Sequence, residues 1–379
     1  MLAPSRALLL LLAVAAVLGA CSGSSSTHVV VAVNNSVDGQ KPDPNLIVAV
    51  SVKDDPPPTS STPALSGARL EAAVQGPAPG TPPEELAYLS LAADGSARGI
   101  AVAGLDGSAE PTPPLTLADP ADLTWSFAGT RLFAVGSDGL YSSAQAAPLI
   151  GLAGAAALDG GPALELDSGT TLEVIAAIGR GEGGLEDLFA VYVDSTGRAL
   201  GLENLTRTPR VRELDAAWLP DGRRLAVLTR AERDTLRVRA IDFGAPTDAA
   251  AALPVHAELA PDGLLLREAE PGSLRDVGAA RTRDLLAVSE WTGSDWDVLC
   301  LDAHGNAVDL GRAGVDEIAP SWSGDDRRLA LEQRCAAQGC GAPSIRILEL
   351  EYAEGAQRCP RVASARSLLA AGALPAWRP

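Results

Sequence analysis

Positive charge is scarce in this chain. Its 379 residues hold 30 Lys and Arg against 48 Asp and Glu, a formal net charge of −18. No basic stripe exists to neutralise phosphates, so nucleic acid is excluded from the expected partners. Histidine is rarer still: His28, His256 and His304 are scattered, and no imidazole cluster for catalysis or metal binding is expected. Aromatic residues make up only 4%, which leaves Ala, Gly, Val and Leu to fill the core. Several motifs are missing. There is no G-x-S-x-G nucleophile elbow, no H-E-x-x-H, no phosphate-binding G-x-x-x-x-G-K and no D-x-D-x-D-G calcium loop. A weaker calcium site built from carbonyls and Asp is left open. Sustained 3.6-residue periodicity with caps is also lacking, which argues against long amphipathic helices. The chain therefore reads as a non-enzyme with no catalytic residue, no cofactor and no metal.

One long apolar run is present, at the start. Arg6 precedes "ALLLLLAVAAVLGA" (7–20), which has the shape of an export signal over residues 1–20 and is short for a membrane span. The Leu18–Cys21 sequence "LGAC" and the Ser/Gly stretch behind it resemble the lipobox of bacterial lipoproteins. That resemblance implies cleavage before Cys21, lipidation of its sulfur, and a membrane partner reached through the lipid. Acyl chains contribute about 0.8 kcal/mol per buried methylene, so two or three give lasting attachment. Residue 22 is Ser rather than Asp, which in Gram-negative lipoproteins resembles the default that permits sorting to the outer membrane, facing the periplasm.

Four further cysteines fit an oxidising compartment: Cys300, Cys335, Cys340 and Cys359. "CAAQGC" (335–340) reads as a disulfide-closed hairpin loop rather than a metal half-site, because no second Cys or His pair accompanies it. Cys300 and Cys359 are left as a second candidate pair.

What the chain has in quantity is turn residues, with 38 Gly and 28 Pro, between short apolar runs. This pattern indicates an all-β fold. Residues 21–84 read as a lipidated tether and Pro-rich segment with strand candidates at 28–33 and 45–52. From 85 to 379 one unit recurs. "AAWLPDGRRLAVLTR" (216–230) reappears as "APSWSGDDRRLAL" (319–331) and "LTWSFAGTRLFAV" (123–135). Its turn demands Gly222, and Leu225 and Val227 point to one face while Ala226 and Leu228 point to the other. A strand that is apolar on both faces needs cover on both sides. Equivalents of Trp218 fall near 125, 165, 279, 322 and 377, at spacings close to those of four-stranded propeller blades. The expected fold is a β-propeller, most simply of six blades, with five or seven as alternatives. Trp125, Trp218, Trp322 and Trp377 are repeat positions with a packing role. Trp291 and Trp296 are the two tryptophans left for an exposed contact. The ending "LPAWRP" (374–379) starts the motif again, as if to complete a sheet begun at the other end.

The repeats resemble those of the C-terminal propeller of TolB and its WD40-like relatives, whose core is similar to P-x-W-S-P-D-G-x-x-L-A-F. Trp218 to Gly222 and Trp322 to Asp326 match best. The resemblance implies fold more than function, since the motif residues are structural. On it rests the expectation of a lipid-anchored envelope scaffold that binds another envelope protein. The alternative is a propeller that binds or hydrolyses glycans or peptides, which a cluster of carboxylates at the channel mouth would favour.

Overall fold

Short apolar runs broken by turn residues give strands alone among the described residues. The computed structural model describes residues 28–35, 43–51, 68–69, 85–91, 97–104, 115–117, 122–126, 131–142, 145–155, 157–165, 171–181, 183–207, 210–230, 235–242, 264–335, 344–353, 358–369 and 373–377. Cys21, His256 and Cys340 lie outside these residues, and so does the proposed Cys335–Cys340 bridge.

In chain order the first strands are β1 (His28–Asn35) and β2 (Asp43–Ser51). Next come β3 (Ala68–Arg69), β4 (Glu85–Leu91), β5 (Ala97–Gly104) and β6 (Leu115–Thr116). They are followed by β7 (Asp122–Trp125), β8 (Leu132–Gly136), β9 (Gly139–Ser142) and β10 (Gln145–Gly151). The third group is β11 (Ala157–Glu165), β12 (Thr171–Arg180), β13 (Glu186–Asp194) and β14 (Ala199–Asn204). The fourth is β15 (Arg212–Trp218), β16 (Arg224–Arg230), β17 (Leu236–Asp242) and β18 (Leu264–Ala269). The fifth is β19 (Leu274–Ala279), β20 (Leu285–Trp291), β21 (Trp296–Asp302) and β22 (Ala307–Asp309). The chain ends with β23 (Val315–Trp322), β24 (Arg328–Cys335), β25 (Ser344–Glu351), β26 (Arg361–Leu369) and β27 (Ala373–Trp377).

Each group of four is one antiparallel sheet with its strands in chain order, and β27, β1 and β2 make a further, three-stranded sheet. In that sheet Val29 pairs with Trp377 and Val30 with Ala376, so the last strand joins the first. The first strands of successive sheets pack in turn: β7 on β11, then β15, β19, β23 and β27.

One expectation is corrected here. The described strands form seven sheets rather than six, and the additional one is β3 to β6. The strands β1, β2 and β3, which precede residue 85, pair into the sheets. The described end of "LAPDGLLL" (259–266) opens β18, the outer strand of its sheet.

The two-faced strand behaves as its pattern demands. Leu225 and Val227 join a cluster with Leu172, Val174 and Tyr192 of the preceding sheet. Ala226 and Leu228 join Leu286, Val288 and Leu301 of the following one. Each fully buried Leu or Val contributes about 1.5–3 kcal/mol, which makes sheet-on-sheet contact the main source of stability. The turn is tied locally. Gly222 takes φ 63°, and Asp221 Oδ1 accepts the Arg223 and Arg224 amides at 2.9 and 3.0 Å. Arg224 reaches Asp221 and, in the next sheet, Asp284, both at 2.5 Å. In the Trp322 copy Asp326 occupies the left-handed position, φ 55°. Its buried carboxylate compensates by accepting the Arg281 and Thr282 amides at 2.6 and 2.7 Å. The turn thereby clasps the neighbouring sheet.

A covalent tie joins the same two sheets. Cys300 of β21 and Cys359, just before β26, form a disulfide with their Cα atoms 5.7 Å apart.

Candidate functional site

The first strands carry a series of aspartates. Asp122 of β7 accepts the Leu158 amide of β11 at 2.7 Å. Asp159 of β11 accepts the Trp218 amide of β15 at 2.6 Å. Asp215 of β15 accepts the Val277 amide of β19 at 3.3 Å, and Asp276 accepts the Ala319 amide of β23 at 3.2 Å. Each sheet thus holds the next by one carboxylate. Register shifts occur at Gly160/Ala163, Glu213/Asp215, Arg275/Gly278 and Ile318/Ser321. Such bulges re-aim side chains, and here they sit beside the carboxylates.

Between these strands lies a cavity of about 260 Å³, lined among others by Asp159, Asp215, Trp218, Arg281, Ser321 and Trp322. A glycine pair gives β11 its place at the cavity wall. A Cβ on Gly160 would stand 2.0 Å from the Trp125 carbonyl oxygen, and one on Gly161 would stand 2.3 Å from Trp218 Cε2.

The electrostatics of the two cavity carboxyls are unusual. Burial pushes Asp159 up to about 6, although the Trp218 amide and the Arg281 charge pull the other way. Burial pushes Asp215 up to about 7; its two amide donors lower it, and the charges on Asp159 and Asp276 raise it again. Carboxyls that titrate near neutrality can exchange protons with a bound ligand, as ordinary aspartates at about 4 do poorly. The same shift fixes a pH dependence. Between about pH 4 and 7 the folded chain binds more protons than the unfolded one, so these two groups make stability fall as pH rises through that window. Asp194, Asp221 and Asp302 are lowered by their hydrogen bonds. Their stabilisation is present above the ordinary carboxylate range and is lost only in more acid solution.

The residues singled out in the sequence are placed as follows. Trp218 and Trp322 are buried between sheets, and both also line the cavity. Trp125 packs beside a smaller cluster. Trp377 lies opposite Val29. Trp291 is 39% exposed and stands 5.9 Å from Trp296, centroid to centroid. His304 is exposed in the turn before β22. Among the described residues no group of three His, Cys, Asp or Glu is placed to hold a metal ion. Sequence reasoning missed the first-strand aspartates. Asp159 stands in an Asp-Gly pair that resembles a turn, while Asp122 and Asp215, each three residues before a repeat Trp, carried the readable signal.

No family model and no curated protein matches the chain. It is similar in structure to TolB of Acinetobacter baumannii, at 16% identity over 81% of this chain and 66% of that one, TM-score 0.42. It is also similar to a periplasmic gluconolactonase of Pseudomonas aeruginosa, at 17% identity over 74% and 82%, TM-score 0.45. A third is a puromycin hydrolase, at 17% identity over 86% of this chain and 50% of that one, TM-score 0.48. The expectation of a non-enzyme is corrected on this point, since two of these three are enzymes by name. These are likenesses of fold: the chain is an all-β protein of the propeller kind, similar in architecture to TolB and to propeller enzymes.

Proposed function

We propose that this chain is a propeller that binds and hydrolyses a polar ligand, a glycan or a peptide, in the cavity between its first strands. Asp159 and Asp215 are its acid–base pair. The observation that carries this reading is the pairing of two carboxyls, raised to about 6 and about 7, in one cavity beside Arg281. Near neutral pH Asp215 holds a proton that it can donate to a leaving group. Asp159, with the lower value and the Arg281 charge beside it, is the group that accepts one from water. Positioned acid–base groups contribute about 10²–10⁴-fold to a rate. Trp218 and Trp322 border the same cavity. The sequence adds a location: the "LGAC" box at Leu18–Cys21 and the export signal before it support attachment to the cell envelope through Cys21. This reading is preferred to the scaffold reading because Asp159 and Asp215 line one cavity between the first strands.

The test is a panel of oligosaccharide, lactone and peptide substrates presented to the wild-type protein at pH 5–8. Turnover is expected for at least one class, falling about 10²-fold or more in Asp215→Asn and Asp159→Asn. Asn can still accept the Trp218 or Val277 amide, so both variants should stay folded. Activity that is unchanged in both would sink the assignment.

A further inference from the structure

A second cavity, of about 540 Å³, lies at the other end of the hairpins, between the β15–β18 sheet and the β19–β22 sheet. Its volume falls within the range of about 300–1,000 Å³ that suits small-molecule sites. Trp291, Glu268, Glu270, Glu290, Ser273 and Thr292 face it. Three carboxylates surround this space, and the cations nearby are already engaged. Arg237 pairs with Glu268 at 2.6 Å, and Arg267 grips both oxygens of Glu290 at 2.6 and 2.7 Å. The Glu270 carboxylate has no cationic partner among the described residues. An anion would therefore meet unbalanced negative charge here, on a chain whose net charge is −18.

The aromatic wall points to the same class of ligand. Trp291 leans on Trp296 at an interplanar angle of 58°, and Trp296 already carries the Arg275 guanidinium 5.4 Å from its ring centre. Trp291 is 39% exposed and lines the same cavity as Glu270. A cation held between an indole face and a carboxylate gains from the ring quadrupole and from the opposite charge. The backbone beneath is fixed: the Trp291 amide donates to the Ser273 carbonyl at 2.8 Å, and the Thr292 amide to the Asp295 carbonyl at 2.9 Å. The site is thus held ready before any ligand arrives.

We infer that this cavity binds an organic cation, an alkylammonium or quaternary ammonium group, against Trp291 and Glu270. It is separate from the cavity between the first strands and does not depend on the chemistry there.

Calorimetric titration of the full chain with choline at low salt tests this. Saturable binding is expected. Trp291→Ala should weaken it about tenfold, Trp291→Phe less, and Glu270→Gln about threefold, as expected for cation–aromatic and exposed charge contacts. Both positions are exposed, and circular dichroism melts would verify that the variants fold. Choline binding with equal affinity in Trp291→Ala, or no saturable binding, overturns the inference. So does a Trp291-dependent response to methyl glucoside or calcium chloride in the absence of one to choline.

Discussion

Breaking the Cys300–Cys359 bond should cost the protein more than any other single covalent change. The bridge closes a loop over a sequence separation of 59 and joins the β19–β22 sheet to the β23–β26 sheet. For a loop of that length the chain-entropy model gives about 4 kcal/mol. The loss is compounded at the site, because Cys300 is wholly buried in a cluster with Leu329, Leu331 and Trp322. Cys300→Ala combined with Cys359→Ala should therefore lower the melting temperature by about 8 °C or more, at roughly 2 °C per kcal/mol for a chain of this size. Hydrogen exchange should quicken first in β21 and β26. A double variant that melts with the wild type, with unchanged exchange in those strands, would show that the bridge constrains nothing.

The glycine pair on β11 should be nearly as sensitive. A methyl group on Gly160 meets a backbone oxygen and one on Gly161 meets the Trp218 ring, so neither clash is relieved by a flexible side-chain tip. Overpacking of this kind costs about 1–3 kcal/mol. Gly160→Ala and Gly161→Ala are each expected near the upper end, because β11 is caught between β7 and β15. Both should also disturb the first-strand cavity, since Gly160 follows Asp159 and Gly161 abuts the Trp218 ring, and both of those residues line it. Gly183→Ala is the comparison: no atom lies within 4 Å of its added carbon, and its melting curve should match the wild type. Equal melting for all three variants would contradict the packing described for β11.

How much of this was readable in advance depends on what kind of signal each element leaves. The Trp–turn–Leu unit is dense in constrained residues, so the starts near Trp125, Trp218, Trp322 and Trp377 were visible, and each lies on the first strand of a sheet. The copy at 165 kept a Gly and the apolar exit and the copy at 279 only the exit, yet β11 and β19 fall there. The sheet of β3 to β6 was hidden because β3 and β6 are two residues each and β3 sits in the Pro-rich segment that reads as tether. The cavity between the first strands was hidden for another reason. Asp159, Asp215 and Asp276 each accept an amide from the next sheet, and that partner lies 43 to 62 residues along the chain. Local sequence cannot show such a pairing, and an Asp before Gly is most simply taken for a turn. The cysteines illustrate the same limit, since the pairing of Cys300 with Cys359 depends on how two sheets pack.

The central claim is that Asp159 and Asp215 titrate close to neutral pH, with Asp159 losing its proton first, and the measurement that tests it is a carboxyl-carbon NMR titration of uniformly labelled protein. Asp159→Asn and Asp215→Asn assign the two signals by their loss. The account predicts inflections at about 6 for Asp159 and about 7 for Asp215, and a stability that declines between pH 4 and 7, less steeply in Asp215→Asn. If both carboxyls titrate near the ordinary value of about 4, they are latches between sheets and nothing more, and the acid–base reading of the cavity is wrong.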